Sequence, residues 1–556
     1  MNKTMLGKLD FKFLNPTLFA FLTFLICMWF SARGFNLGFA DIGHDSYVLK
    51  VASDLNGGAT LFKNTFTQYG IIGDHLNALI LRLHNRLIFI KFIYSVIYSI
   101  CCYIIYKSTK LSSSHQAAIL VSCFFIASGP FYRHGIMLSV HTYILLVQLG
   151  IVSNLRKFFS YGSKRALIYT SFLSAFVFLL KQNYGIFQIF LISICLLSPI
   201  VKKRLRVVGL YFGIILITIA PFFLKLIYER ALTDWYIQTV EFPRLFYTDY
   251  ILSTERLFTN SRALLERLPS LSFLTNIPWP IFAFIELFFD QPYWMTLRLA
   301  LFSLALNQIR TGRTRDSGIV MLIIVCSGTL VLWPSGNFMH QWWTLAPIFP
   351  LIPKAIKELG LSKRTFLDRK PFRSMRPVIP TLGQVICIAM LANVFFSGGN
   401  FWTGNFTAAI GTITRPCVEF KSPEVLEGIC STEEFINEIN YISKKASVIH
   451  QIELMQFKKS RVITQDSADG VSGILIALLP VATLRQNSSI SPLLWNLPVL
   501  SKLYPESHLV KLQNHNVIVD LSPTNTKLIP FGYRINSELR SDVFVGKTWR
   551  IFTVDT

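Results

Sequence analysis

The chain has 556 residues, of which 52% are hydrophobic and only 15% are charged, yet its formal net charge is +24. Soluble domains carry about 25% charged residues, so this composition argues against a cytosolic enzyme or a disordered basic tail and predicts a polytopic membrane protein. A basic excess is typical of proteins that bind nucleic acid, but it also marks the loops that orient membrane proteins. The positions of the charges therefore decide between these two classes.

Apolar stretches long enough to cross a bilayer recur along the first 396 residues. About 20 helical residues cross a hydrocarbon core of roughly 30 Å, and on this basis the sequence predicts about eleven transmembrane helices. The predicted spans are residues 14–31, 87–106, 116–130, 136–154, 166–180, 184–200, 207–226, 289–308, 317–333, 342–356 and 377–396. A mainly α-helical membrane domain is expected over residues 1–396.

Basic residues concentrate in six short segments at the ends of these spans. Together the segments hold 24 lysines and arginines against four acidic residues, and they account for +20 of the net charge. Loops rich in lysine and arginine face the cytoplasm. The charge is therefore interpreted as a record of topology rather than of nucleic-acid binding, and the N-terminus is expected in the cytoplasm.

The apolar segment 71–86 is the exception among the long apolar stretches. It contains Asp74, His75, Arg82, His84 and Arg86, which are costly in lipid. It is therefore predicted to be a juxtamembrane or re-entrant helix within one long external loop, residues 32–86. The external face then also receives loop 227–288, the short links 131–135 and 181–183, and loop 334–341.

The composition changes after residue 396. Residues 397–556 hold 15 basic and 14 acidic residues and no stretch long enough to span. The run Ser431–Glu434 matches a helix capping box that predicts a helix to about Lys445, and residues 516–520 (NVIVD) predict a buried strand. A small extracytoplasmic α/β domain is expected. Its cysteines, Cys417 and Cys430, either form a disulfide in an oxidising compartment or stay free.

Two carboxylates follow the first predicted span. Asp41 and Asp45 lie just outside the membrane, and Asp45 directly precedes a helical pattern that ends at Gly57 and Gly58. An acid in this position is placed to accept a proton from a nucleophile at the membrane surface. The alternative is structural, because Asp45 would also serve as a helix N-cap and Asp41 as a turn residue.

Four segments occur in an order that resembles GT-C fold glycosyltransferases. They are GGATLFKNTFTQYG at residues 57–70, FLLKQNYG at 178–185, RALTDWYIQTVEFPRLFY at 230–247 and PSGNFMHQWWTLAPIFPLI at 334–352. That family comprises integral membrane enzymes that use polyprenyl-phosphate sugars, and it includes protein O-mannosyltransferases and the aminoarabinose transferase acting on lipid A. The resemblance covers most of residues 14–356.

The resemblance implies a role for the first-loop acids. In the family an external acid of this loop is the catalytic acid/base or orients the acceptor, commonly as an Asp-Glu pair. This chain has His44-Asp45 instead. The departure leaves open whether Asp45 or Asp41 is catalytic; Asp45 is preferred for its place before the helix. His44 would assist either one, or is a surface loop residue.

The resemblance also implies cationic partners for the donor phosphate. Lys181, in a short external turn between apolar helices, is the first candidate, and Arg244 and His340 correspond to external polar positions that face the site. A phosphate leaving group needs its developing charge stabilised. The structural alternative for Lys181 is a lysine that reaches from an apolar helix to the membrane interface.

The sequence therefore predicts an inverting membrane glycosyltransferase without an obligatory metal or cofactor. Its expected partners are the bilayer, a polyprenyl-phosphate sugar and a glycolipid, glycan or protein acceptor, and its expected place is a bacterial inner membrane with a periplasmic C-terminal domain. A transporter or flippase and a polysaccharide polymerase or ligase are the rival functions, together with an inactive relative that only binds a glycan or protein. Transporters usually show internal repeats and midplane charges, which this sequence lacks.

Overall fold

Helices make up nearly all of the described chain up to residue 357. The computed structural model describes residues 14–33, 42–63, 65, 67, 69–134, 136–199, 201–241, 292–312, 314–332, 338–357, 414, 416–421, 426–457, 462–466, 517–522, 533–540 and 548–554. The helices before residue 357 are α1 (Pro16–Arg33), α2 (Ile42–Asn56), α3 (Ile71–Leu83), α4 (Leu87–Ser112), α5 (His115–Ser128), α6 (Phe131–His134), α7 (Val140–Tyr161), α8 (Lys164–Leu180), α9 (Gln182–Leu197), α10 (Arg204–Tyr228), α11 (Leu232–Tyr236), α12 (Pro292–Thr311), α13 (Arg315–Val331) and α14 (Phe338–Leu345). A π-helical turn, Ile237–Glu241, continues α11, and a 3₁₀ helix, Ala346–Leu351, continues α14.

Serine caps begin several of the membrane helices. Ser114, Ser139 and Ser163 precede α5, α7 and α8, and each side chain accepts a hydrogen bond from a backbone N–H in the first turn. These contacts satisfy amide groups that have no partner within the helix. Short capped turns of this kind pack successive helices side by side.

The structure has helices at most of the predicted membrane spans. Among the described residues, three helices are long and apolar enough to cross a membrane: α1, α4 and α10. Helices occupy ten of the eleven predicted positions, but several are short, and segment 377–396 lies outside the described residues. The mainly helical membrane fold is confirmed, whereas the count of about eleven spans stays a prediction.

Helix α3 occupies the segment whose charges argued against a membrane span. Its N-terminal end packs tightly on the end of α8, where the amide of Gly70 donates to the Leu180 carbonyl at 3.0 Å. A Cβ at Gly70 would lie 2.0 Å from the Leu179 carbonyl oxygen, so only glycine fits this approach. The loop that contains the first-loop acids is thereby fixed against the turn that contains Lys181.

The described part of the C-terminal region is an α/β unit. Helix α15 (Glu433–Phe457) begins at Thr432, whose hydroxyl accepts from the Phe435 amide at 3.3 Å. It runs beyond the predicted end at Lys445. Two strands, β1 (Val418–Glu419) and β2 (Cys430–Ser431), form a hairpin ladder, and the others are β3 (Val462–Asp466), β4 (Val517–Ser522), β5 (Tyr533–Arg540) and β6 (Thr548–Val554).

The second sheet has the strand order β3-β4-β6-β5. β3 pairs parallel with β4, and the other two pairings are antiparallel. The predicted strand at 516–520 is confirmed as part of β4, where Val519 pairs with Ile551 of β6. In this order β4 lies between β3 and β6 and is therefore a central strand of the sheet.

The disulfide-closed hairpin contacts the membrane helices. Cys417 and Cys430 are bonded, with their Cα atoms 5.4 Å apart. Within the loop that they close, Glu427 forms an ion pair with Arg86 at 2.7 Å, beside the start of α4. A Cβ at Gly428 would lie 3.2 Å from Ile88, so this loop fits closely on that helix. The disulfide therefore shapes the contact between the two regions.

We expect the Cys417–Cys430 bond to be present in the protein as isolated. Denaturing alkylation without reductant should leave the peptides of these two cysteines unmodified, while those of Cys123 and Cys326 are alkylated, since both are free thiols. Closing this short loop stabilises the folded hairpin by about 3 kcal/mol in the chain-entropy account, so a C417S/C430S variant should be cleaved faster by protease there. Alkylation of both cysteines without reduction would contradict the assignment.

Candidate functional site

Two charged clusters meet on one short segment, residues 136–139, which we call the strap. It joins α6 to α7, it is not helical, and its described side chains are buried. One cluster contacts the amide of Leu138 and the other begins at Ser139. The strap therefore couples the acidic external loop to the turn between α8 and α9.

The first cluster is a buried ion pair. Asp45, in the first turn of α2, lies 2.5 Å from the ammonium of Lys91 on α4, and neither side chain has exposed surface. The other carboxylate oxygen of Asp45 accepts a hydrogen bond from the Leu138 amide at 3.1 Å. Losing one partner of such a pair costs about 3–5 kcal/mol, because the other charge is left buried and uncompensated.

The second cluster is centred on His141. Its Nε2 lies 2.9 Å from the Lys181 ammonium, and its Nδ1 lies 2.7 Å from the Ser139 hydroxyl. An ammonium group only donates, so Nε2 is the acceptor and Nδ1 carries the proton that is shared with Ser139. The imidazole thus holds the Lys181 side chain in one direction.

Aromatic rings wall this cluster. The His141 ring stacks on Trp343, with centroids 4.8 Å apart and planes 7° from parallel, and meets His340 edge-on, also at 4.8 Å. The indole N–H of Trp343 donates to the Tyr98 hydroxyl at 2.9 Å. Helices α4, α7 and α14 therefore each contribute a ring to one rigid wall.

A buried arginine anchors the helix that carries His340 and Trp343. Arg298 on α12 is 2% exposed; it donates to the Gln341 side chain at 2.5 Å and to the Gln341 carbonyl at 3.3 Å, and also contacts Thr344. These bonds occupy polar groups of α14, a helix of only eight residues. They restrain the backbone of α14 directly after His340.

Burial changes the pKa of two ionisable side chains, Lys181 and Asp74. Burial lowers the pKa of Lys181 to about 8. Burial also raises the pKa of Asp74 on α3 to about 7, although a hydrogen bond from Thr67 opposes the rise. A lysine destabilised in this way gains free energy when an anion binds beside it.

The structure brings together three residues singled out from the sequence. Lys181 and His340 both adjoin His141, and Asp45 is joined to them through the strap. The roles predicted for them stay predictions. Sequence reasoning missed His141 and Lys91, which lie near the start of predicted helices; the available signal was an ionisable residue inside an apolar stretch.

The other predicted site residues cannot be placed. Asp41 and Arg244 lie outside the described residues, and so does the side chain of His44, whose backbone is part of α2. Within the described part of the chain, no three histidine, cysteine or acidic side chains are grouped so that they could hold a metal ion. Metal independence stays a prediction.

The chain is similar to solved membrane-enzyme structures. No family model and no curated protein matches the sequence. ArnT from Cupriavidus metallidurans bound to undecaprenyl phosphate aligns at 11% identity and a TM-score of 0.48, covering 97% of this chain and 98% of that one. The Archaeoglobus fulgidus oligosaccharyltransferase AglB, with an inhibitory peptide and a dolichol-phosphate, aligns at 12% identity and 0.47, covering 92% and 70%. Its apo form aligns at 11% identity and 0.48, with the same coverages.

Phosphate binding at Lys181 should depend on pH. Because the ammonium is half deprotonated at about pH 8, affinity for a short-chain polyprenyl phosphate should be highest near pH 7, fall about twofold by pH 8 and fall further above it. Lys181→Arg should remove this fall, since guanidinium stays charged. Titration by intrinsic tryptophan fluorescence measures both. The same fall in the arginine variant would contradict the assignment.

Proposed function

We propose that the chain is a membrane glycosyltransferase that moves a sugar from a polyprenyl-phosphate donor to an acceptor on the external face. The observation that carries the proposal is the Lys181–His141 pair, held at 2.9 Å in a turn between two apolar helices and beside His340. A cation that one imidazole orients, with a second imidazole beside it, fits a phosphate carried on a lipid.

Burial supports a phosphate ligand over a structural role for Lys181. A lysine that only reached for the interface would keep its ammonium in water and its ordinary pKa. Here Lys181 is half-buried, its ammonium lies 2.9 Å from His141 Nε2, and burial lowers its pKa to about 8. The cost of that burial is recovered when a phosphate oxygen accepts from the ammonium, so the turn is suited to bind an anion.

The chemistry follows from the charges. An acceptor hydroxyl loses its proton to a carboxylate of the first external loop, its oxygen bonds to the anomeric carbon, and the bond from that carbon to the phosphate oxygen breaks. The phosphate leaves with the electron pair toward Lys181, which His141 orients, and toward His340, with Arg244 as a further candidate donor. One displacement inverts the anomeric configuration, and no step needs a metal.

A gene deletion identifies the sugar and the acceptor. Deletion of the gene followed by mass analysis of surface glycolipids, glycans and proteins should show the loss of one sugar from one class of molecule. That class names the acceptor. If the parent strain expresses the protein and the deletion strain has the same surface sugars, the proposal is contradicted.

Complementation tests the role of Lys181. Lys181→Ala should reduce transfer by about 10²–10³-fold, because it removes one donor to the departing phosphate, and Lys181→Arg should restore part of it. Lys225→Ala is the matched control, since that ammonium lies at the end of α10 and pairs with Glu229 at 3.8 Å. Wild-type glycan levels with Lys181→Ala, at equal expression, would exclude this site.

A further inference from the structure

Asp45 is poorly placed to act as a base. A general base must come within hydrogen-bonding distance, about 2.6–3.2 Å, of the proton that it removes. One carboxylate oxygen of Asp45 lies 2.5 Å from Lys91 Nζ, the other accepts from the Leu138 amide, and the side chain has no exposed surface. An acceptor hydroxyl has no approach to this carboxylate in the conformation that the structure shows.

The contacts of Asp45 point to the strap instead. The hydrogen bond from Leu138 fixes the segment directly before Ser139, and Ser139 in turn bonds to the ring of His141. That ring holds the Lys181 ammonium. A movement of the strap at Leu138 would therefore shift His141, three residues later in the chain, and with it the Lys181 ammonium.

Lys91 keeps this arrangement charged. It lies near the start of α4, its ammonium contacts Asp45, and its side chain is fully buried. A buried ion pair is weak evidence for stability, since a well-packed apolar pair is often as stable. What an apolar pair cannot supply is an acceptor for the Leu138 amide.

We propose that Asp45 is a positioning residue, not the catalytic base: with Lys91 it braces the strap and so sets the place of His141 and Lys181. The proposal rests on the proposed glycosyl transfer for its activity readouts. Of the two acids singled out from the sequence, Asp41 then remains the candidate base.

The decisive variant is Asp45→Asn combined with Lys91→Met. Asparagine keeps an oxygen for the Leu138 amide, methionine fills the lysine volume, and no charge is left buried. Transfer should stay within about threefold of wild type, although asparagine accepts no proton at neutral pH. Loss of transfer in this variant, folded and with wild-type affinity for a short-chain polyprenyl phosphate, would make Asp45 the base and overturn the proposal.

A second double variant tests the brace itself. Asp45→Leu with Lys91→Met also leaves no buried charge, but removes the acceptor of the Leu138 amide. The KM for the donor should rise by about tenfold while kcat changes much less, because phosphate positioning and not proton transfer is lost. Equal KM values for the two double variants would show that the strap does not depend on Asp45.

Single substitutions at this pair are uninformative on their own. Asp45→Asn leaves the Lys91 charge buried without a counter-charge, and Lys91→Met does the same to the Asp45 charge. Both single variants should therefore lower the yield of monodisperse protein. Recovery of that yield in the double variants supports the brace without any activity measurement. This yield measurement also separates the two proposals. If the wild-type protein binds no polyprenyl phosphate and transfers no sugar, the proposed function is wrong, but the yields still test the role of Asp45.

Carboxyl labelling of the wild-type protein covers the case in which the double variants do not fold. Native protein is treated with a water-soluble carbodiimide and an amine, and the peptide with Asp45 is analysed by mass. Protection of Asp45, with labelling of the exposed Glu434 as the control, is expected. Labelling of Asp45 to the extent of Glu434 would overturn the proposal.

Discussion

The arrangement of the site depends on a pair of charges that have been removed from water. Asp45 and Lys91 touch at 2.5 Å with no exposed surface, and each makes the other tolerable. Burying either charge without the other would cost several kcal/mol, so the ion pair holds α2 against α4. The Leu138 amide adds the strap to this contact, and the strap leads into the His141 cluster.

The cationic cluster differs from this ion pair, because the charged group of Lys181 contacts the neutral ring nitrogen of His141. His141 orients Lys181 through a neutral ring nitrogen, the Trp343 face covers the ring, and burial lowers the lysine pKa to about 8. A site of this kind is pre-organised for an anion, which is what a departing phosphate requires. Arg298 hydrogen-bonds to Gln341, the residue that follows His340, and so restrains the helix that contains this third ring.

Local sequence patterns predicted the parts of the fold that depend on local chemistry. The charges of segment 71–86 identified α3, and the capping run at Thr432 identified the start of α15. The predicted turn at Lys181 is confirmed, because α8 ends at Leu180 and α9 begins at Gln182, whereas its phosphate-binding role stays a prediction. Contacts between residues far apart in the sequence were not predicted. Lys91 and His141 each look like isolated polar residues in apolar helices, and only the folded chain brings Lys91 to Asp45 and His141 to Lys181. The burial of Asp45 could not be foreseen either, since an N-terminal helix acid is usually exposed.

The central claim is that the Lys181–His141 pair holds the phosphate of a lipid donor. A structure of the protein in lipid nanodiscs with a short-chain polyprenyl phosphate tests it most directly. The account predicts a phosphate oxygen within about 3 Å of Lys181 Nζ, with His141 still bonded to Ser139 and Asp45 still paired with Lys91. A phosphate bound elsewhere, with the Lys181–His141 contact unchanged, would contradict it.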